Sequence, residues 1–102
     1  MNDWVYAQGH AAEQLARLHH FSMLKKTQAG GEVEFTITVK EFATPKDGAL
    51  VFFAQADKQT NQSVAPYTPC GWGKTLLGAL QECVREINRF PYQEQDSQAV
   101  NA

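Results

Sequence analysis

From residue 32 to residue 42 apolar and polar side chains alternate without a break. Val33, Phe35, Ile37 and Val39 fall on one side and Glu32, Glu34, Thr36, Thr38 and Lys40 on the other. Period-two alternation of this kind predicts a β-strand with one buried and one wet face. Residues 49–57 predict a second strand of different character, because Leu50, Val51, Phe52 and Phe53 are all apolar. Alternation sends Leu50 and Phe52 one way and Val51 and Phe53 the other. A strand apolar on both faces is expected in the middle of a sheet with both faces covered, and is an aggregation hazard at an open edge. Between the two strands, Pro45-Lys46-Asp47-Gly48 reads as a turn: proline presets φ and glycine accepts positive φ. Residues 64–67 predict a short third strand, which Pro66 and Pro69 confine to an edge.

Two segments carry helical spacing. In residues 3–20, Trp4, Ala11, Leu15 and Leu18 recur at intervals near three or four, with Asn2 or Asp3 available as a cap. Gly9 weakens this helix by roughly 1 kcal/mol relative to alanine, so it either runs through Gly9 or starts after it. A leader with no role in the fold is the alternative for the first residues. His19-His20 and Lys25-Lys26 then complement a carboxyl-terminal dipole, and Gly30-Gly31 breaks the chain. The second helix spans residues 75–90, capped by Thr75. Leu76, Leu80, Cys83, Val84 and Ile87 form its apolar stripe, each large member contributing on the order of 1.5–3 kcal/mol when buried. Glu82 with Arg85 and Glu86 with Arg89 make i,i+3 pairs on the wet side, and Pro91 stops the helix. The expected architecture is a single two-layer α+β domain over residues 1–92, ordered α-β-β-β-α. Its three-stranded antiparallel sheet packs on the carboxyl-terminal helix, and residues 93–102 form a polar, disordered tail. The outer face of the second strand then needs a cover, either the amino-terminal helix or a second subunit.

Charge narrows the classes of partner. The chain of 102 residues has a net charge of −2. With Glu94 and Asp96 in the tail, residues 1–92 carry nine acids and nine bases. A neutral domain lacks the long-range field that collects phosphates, so nucleic-acid binding loses its usual footprint. The 2 cysteines make no disulfide framework, no signal-type apolar segment follows Asp3, and the apolar run at residues 49–54 is too short to span a bilayer. A reducing cytoplasmic setting with both thiols unlinked, and no membrane association, is the expectation.

Candidate chemistry concentrates around residues 67–75. Gly73-Lys74-Thr75 has three letters of a phosphate loop but no glycine five positions earlier, where Thr68 stands, and no parallel βαβ context. What remains is a candidate anion site made by backbone amides of Gly73, Lys74 and Thr75 at a helix start. Cys70, just before that start, is a candidate thiolate, but a nucleophile needs a base and the histidines, His10, His19 and His20, all lie in the amino-terminal segment. Cys83 belongs to the core stripe. The histidines and cysteines show no metal-finger spacing. Glu32 and Glu34, about 7 Å apart on one strand face, are solvated carboxylates, with Thr36 and Thr38 beside them for β-propensity. Trp72, between two glycines, either tucks over the helix start as a lid or is offered to a partner.

Two family resemblances follow from these residues. The order β-β-β-α, with Lys46-Asp47-Gly48 in the first turn and Thr75-Leu76 then Ala79-Leu80 opening the helix, resembles the HicB-type antitoxin domain over residues 33–90. That family carries a proline-rich segment with Gly-Cys, then a glycine, then a Thr-Leu-x-x-Ala-Leu helix start. Here Cys70-Gly71 stand in the reverse order, Gly78 replaces the usual acid, and residues 58–63 lengthen the second connection. The resemblance implies a toxin-binding or dimerising module. It does not imply operator binding, for which that family often appends a further module. The order α-β-β-β-α with Gly71-Trp72-Gly73-Lys74-Thr75 before the last helix is similar to the double-stranded RNA-binding domain. That family's lysine cluster is reduced to Lys74, followed by Leu76-Leu77-Gly78.

The expected function is therefore a small non-enzymatic protein-interaction module, antitoxin-like or dimerising, without cofactor or metal. Val51, Phe53, Trp72 and Tyr67 are its candidate contact residues, and a homodimer or another protein is the expected partner. RNA or single-stranded nucleic-acid binding through Lys25, Lys26, Lys74 and Trp72 is the alternative, and a small enzyme using Cys70 a third.

Overall fold

A computed structural model describes residues 3–10, 12–45, 50–62 and 64–93. Asp3–Ala7 forms one short 3-10 turn, followed by β1 (Ala16–Lys26), β2 (Glu32–Phe42), β3 (Phe52–Ala56), β4 (Cys70–Gly73) and α1 (Leu76–Arg89). The strands form one antiparallel four-stranded sheet in chain order, β1-β2-β3-β4. The helix packs on one face of it, so the architecture is α+β in two layers. The expected turn at Lys46-Asp47-Gly48 and the expected tail from residue 94 lie outside the described residues.

The helix expected over residues 3–20 is not formed: Asp3–Ala7 is a 3-10 turn and residues 16–20 are the start of β1. Residues 16–26 alternate after all, with Arg17, His19, Phe21, Met23 and Lys25 on the face toward the helix layer. Leu18, His20, Ser22, Leu24 and Lys26 are on the other. Apolar residues on both faces, Leu18 and Leu24 outward and Phe21 and Met23 inward, blur the alternation and imitate helical spacing. Tertiary pairing decides the outcome: all eleven residues of β1 find a partner in β2, from Ala16 opposite Phe42 to Lys26 opposite Glu32. Gly30-Gly31, read as a break, is part of the hairpin turn. Gly30 has φ +95°, and Thr27 accepts a hydrogen bond from the Gly31 N–H on its hydroxyl at 3.1 Å.

The expected strand at residues 64–67 is reduced to a single bridge between Thr60 and Tyr67. Pro66 and Pro69 have no N–H to donate, and the last strand starts only at Cys70, after the Pro69 carbonyl has accepted the Ala56 N–H. Asn61 makes the preceding turn at φ 55°, a conformation asparagine tolerates.

The core lies between β2, β3 and α1: Phe35, Ile37, Val39, Ala54, Ala56, Ala79, Cys83 and Ile87 are buried. Phe52 packs against it from the inner face of β3, as alternation requires. Helix α1 approaches β4 at backbone distance because the inward positions of that strand are Gly71 and Gly73. A Cβ on Gly71 would meet the Glu82 Cβ at 2.6 Å, and one on Gly73 the Ala79 nitrogen at 2.5 Å. Thr75 caps α1 as expected, its hydroxyl accepting the Gly78 N–H at 2.9 Å. The pairs Glu82–Arg85 and Glu86–Arg89 both form.

Candidate functional site

The face of the sheet opposite α1 is organised in rungs that cross the strands. One rung runs Leu18, Lys40, Phe53, Trp72 from β1 to β4. Its neighbour toward the sheet end sets Ala16 opposite Phe42, whose N–H donates to the Val51 carbonyl at 2.9 Å. On the other side come His20, Thr38, Gln55 and Cys70, and then Ser22 with Thr36. One end of the face is thus aromatic on β3 and β4, with Lys40 set between Leu18 and Phe53, and the rest is polar.

Trp72 holds the apolar end together. Its ring stacks beside Phe42 at 5.9 Å and 22° and lies tilted on Phe53 at 4.7 Å. Aromatic pairs in this range contribute beyond their buried area. Even so, Trp72 remains 41% exposed and Leu18 52% exposed, and among the described residues no second layer covers them. The glycines flanking Trp72 explain its position. They face inward against the helix, so strand alternation turns the indole outward.

Three of the expected contact residues, Val51, Phe53 and Trp72, therefore share one surface. Tyr67 does not join them. It packs edge-on to Phe90 at 6.0 Å, and burial, with the Glu86 carboxylate close by, holds its phenol above the ordinary range. Phe42 was absent from the expected set, although it continues the same alternating face of β2 as Lys40, and that periodicity is the signal that finds it.

The other candidates are dispersed. Gly73 is engaged in the β4 ladder opposite Phe52, and the Thr75 hydroxyl is spent on the helix cap. Lys74 is exposed between them. Lys26 lies at the far end of the sheet, 3.9 Å from Glu32, and Lys25 turns to the other face, where it reaches Asn88. The cations expected to join Trp72 on nucleic acid are thus not gathered around it. Cys70 sits on β4 and His19 and His20 on β1, opposite edges of the sheet, about 14 Å apart at the usual strand spacing. Those histidines supply no base to Cys70. Cys83 is buried, its thiol directed at the Pro69 carbonyl, and burial pushes its pKa up to about 12.

A second cluster, not foreseen, lies on the inner face. Glu41 is buried to 8% exposure. It accepts hydrogen bonds from His19 Nε2 at 2.9 Å and from the Arg17 guanidinium at 3.3 Å. Arg17 in turn lies over the Trp4 ring at 5.3 Å. The group ties the amino-terminal turn to β1 and β2. His19 and His20, adjacent in sequence, thus diverge: His20 Nδ1 shares a hydrogen bond with the Thr38 hydroxyl on the outer face.

Among the described residues no group of three or more His, Cys, Asp or Glu side chains is arranged to hold a metal ion, and no helix is long and apolar enough to cross a membrane. No family model, curated protein or solved structure matches this chain.

Proposed function

We propose that this chain is a small non-enzymatic interaction module that pairs with a second copy of itself through the outer face of the sheet. The carrying observation is Trp72, 41% exposed beside Phe53 and Phe42, on a face that no second layer of the described residues covers, the expected amino-terminal helix being a short 3-10 turn and the start of β1 instead.

A second copy suits this face in two ways. Strands of eleven, eleven, five and four residues, at about 4.8 Å by about 3.3 Å per residue, give roughly 490 Å² of flat sheet face, below the roughly 800 Å² that each partner of a standard interface buries and in keeping with a dimer that dissociates on dilution. Residues 1–92 balance nine acids with nine bases, so two copies meet without net repulsion. Two sheets packed face to face about 10 Å apart would bury the aromatic rungs. A dimerising role agrees with what the HicB-type resemblance implies.

Trp72 is itself the probe. In a Trp4→Phe background, its emission is expected to be blue-shifted and shielded from acrylamide at high protein concentration, and to become exposed on dilution. Phe53→Lys, with circular dichroism unchanged, is expected to give the exposed signal at every concentration. Equal quenching of Trp72 at all concentrations would contradict self-pairing.

A further inference from the structure

Strand β1 closes the sheet on one side with an edge of eleven residues, the longest strand jointly with β2. The hydrogen-bond phase of that edge is fixed at both ends. The Ala43 N–H donates to the Leu15 carbonyl, and the Thr27 N–H to the Gly31 carbonyl. With the register unbroken between them, odd-numbered residues of β1 spend their backbone groups on β2. Ala16, Leu18, His20, Ser22, Leu24 and Lys26 direct theirs away from it. Six N–H and six C=O groups in one row form a template for another strand.

The charges of β1 select which strand. Its sequence holds Arg17, Lys25 and Lys26, with His19 and His20, and no acid. Glu41 engages Arg17, and Glu32 meets Lys26 at 3.9 Å, but those cations keep 48% and 79% of their side chains exposed. Lys25 reaches the neutral amide of Asn88. Two β1 strands paired antiparallel in full register, Ala16 against Lys26, would set Arg17 opposite Lys25 twice. Like charges directly opposite destabilise a ladder, so full-register pairing with a second copy is disfavoured. The same row favours a strand bearing carboxylates.

We infer that the edge of β1 takes up an extended, acidic segment of a protein partner as a fifth strand, by backbone pairing to the even-numbered residues. Main-chain bonds supply the affinity, as is usual in strand addition, and charge supplies the selectivity. This site is separate from the aromatic rungs on the outer face.

The test uses the whole chain and a fluorescein-labelled peptide of eleven residues, matching β1 in length, that alternates glutamate and valine. Binding is expected at low salt, weakening as salt rises, and the same peptide with lysine for glutamate should not bind. In hydrogen exchange, the amides of Leu18, His20, Ser22 and Leu24 should slow by about tenfold or more with the acidic peptide, those of β4 remaining unchanged. Ser22→Pro removes an outward N–H without touching the β2 ladder and is expected to abolish binding. The exchange footprint on the unaltered chain stands even if that variant misfolds. No binding at low salt, equal binding of the lysine peptide, or protection confined to β3 and β4 would each overturn the inference.

Discussion

A Cβ on Gly73 would lie 2.5 Å from the Ala79 nitrogen, and one on Gly71 2.6 Å from the Glu82 Cβ and 2.9 Å from the Cys83 nitrogen. These obstacles are rigid helix atoms, so a substituent must push α1 off β4. Gly71→Ala and Gly73→Ala are each expected to cost about 1–3 kcal/mol, as overpacking does. Gly9→Ala, whose added atom meets only the Glu13 side chain at 3.9 Å, should stay near neutral. Urea midpoints of the three variants check this ordering. Cys83 gives a prediction in pH. Burial pushes its thiol from 9.0 up to about 12, so above pH 9 the unfolded chain releases a proton that the folded chain retains. The associated stability is complete below pH 9 and is lost as pH rises toward 12, by at most about 1.4 kcal/mol per unit. Unfolding of wild type and Cys83→Ala across that range should show the extra slope only in the wild type; equal slopes would contradict it.

At the scale of elements, strand β2 and helix α1 were legible because their patterns are local and unmixed. Val33, Phe35, Ile37 and Val39 alternate with polar residues, and Leu76, Leu80, Cys83, Val84 and Ile87 hold a single stripe behind a Thr75 cap. Thr75→Ala removes the hydroxyl that accepts the Gly78 N–H and should lower stability by about 1 kcal/mol, read from the thermal midpoint. The strands β1 and β4 were hidden for different reasons. In β1, Leu18 and Leu24 face outward while Phe21 and Met23 face inward, so no face is purely apolar. Only eleven rungs of pairing with β2 separate strand from helix. In β4, Gly71 and Gly73 read only as the flanks of Trp72 before a helix start, whereas they are the inward positions of a strand that a helix backbone touches. Glycine weakens a strand by propensity, yet it is required where two backbones meet. The Arg17–Glu41–His19 cluster was invisible for the same reason as β1: its members converge only once Ala16–Lys26 is a strand laid against β2.

For the whole molecule, the helix layer covers one side of the sheet and leaves the rungs of Phe42, Val51, Phe53 and Trp72 on the other. Of the expected contact residues, the alternation of residues 50–53 is enough to put Val51 and Phe53 on one face, whereas Trp72 joins that face only through the pairing of β4 with β3. Tyr67 was not separable from them, since its packing on Phe90 depends on where α1 ends. If the outer face is the dimer surface, a charge placed within its aromatic cluster, beyond the Lys40 already beside it, should disperse the assembly while the folded layer survives. Val51→Lys and Phe53→Lys should act alike, and Leu77→Lys, on an exposed position of the helix, should have no effect. The most direct measurement is the molar mass in solution over a dilution series, by sedimentation equilibrium. Burial of the aromatic rungs between two copies predicts twice the chain's 11.4 kDa at high concentration, falling to one chain on dilution and in Phe53→Lys. A mass of 11.4 kDa at every concentration would contradict it.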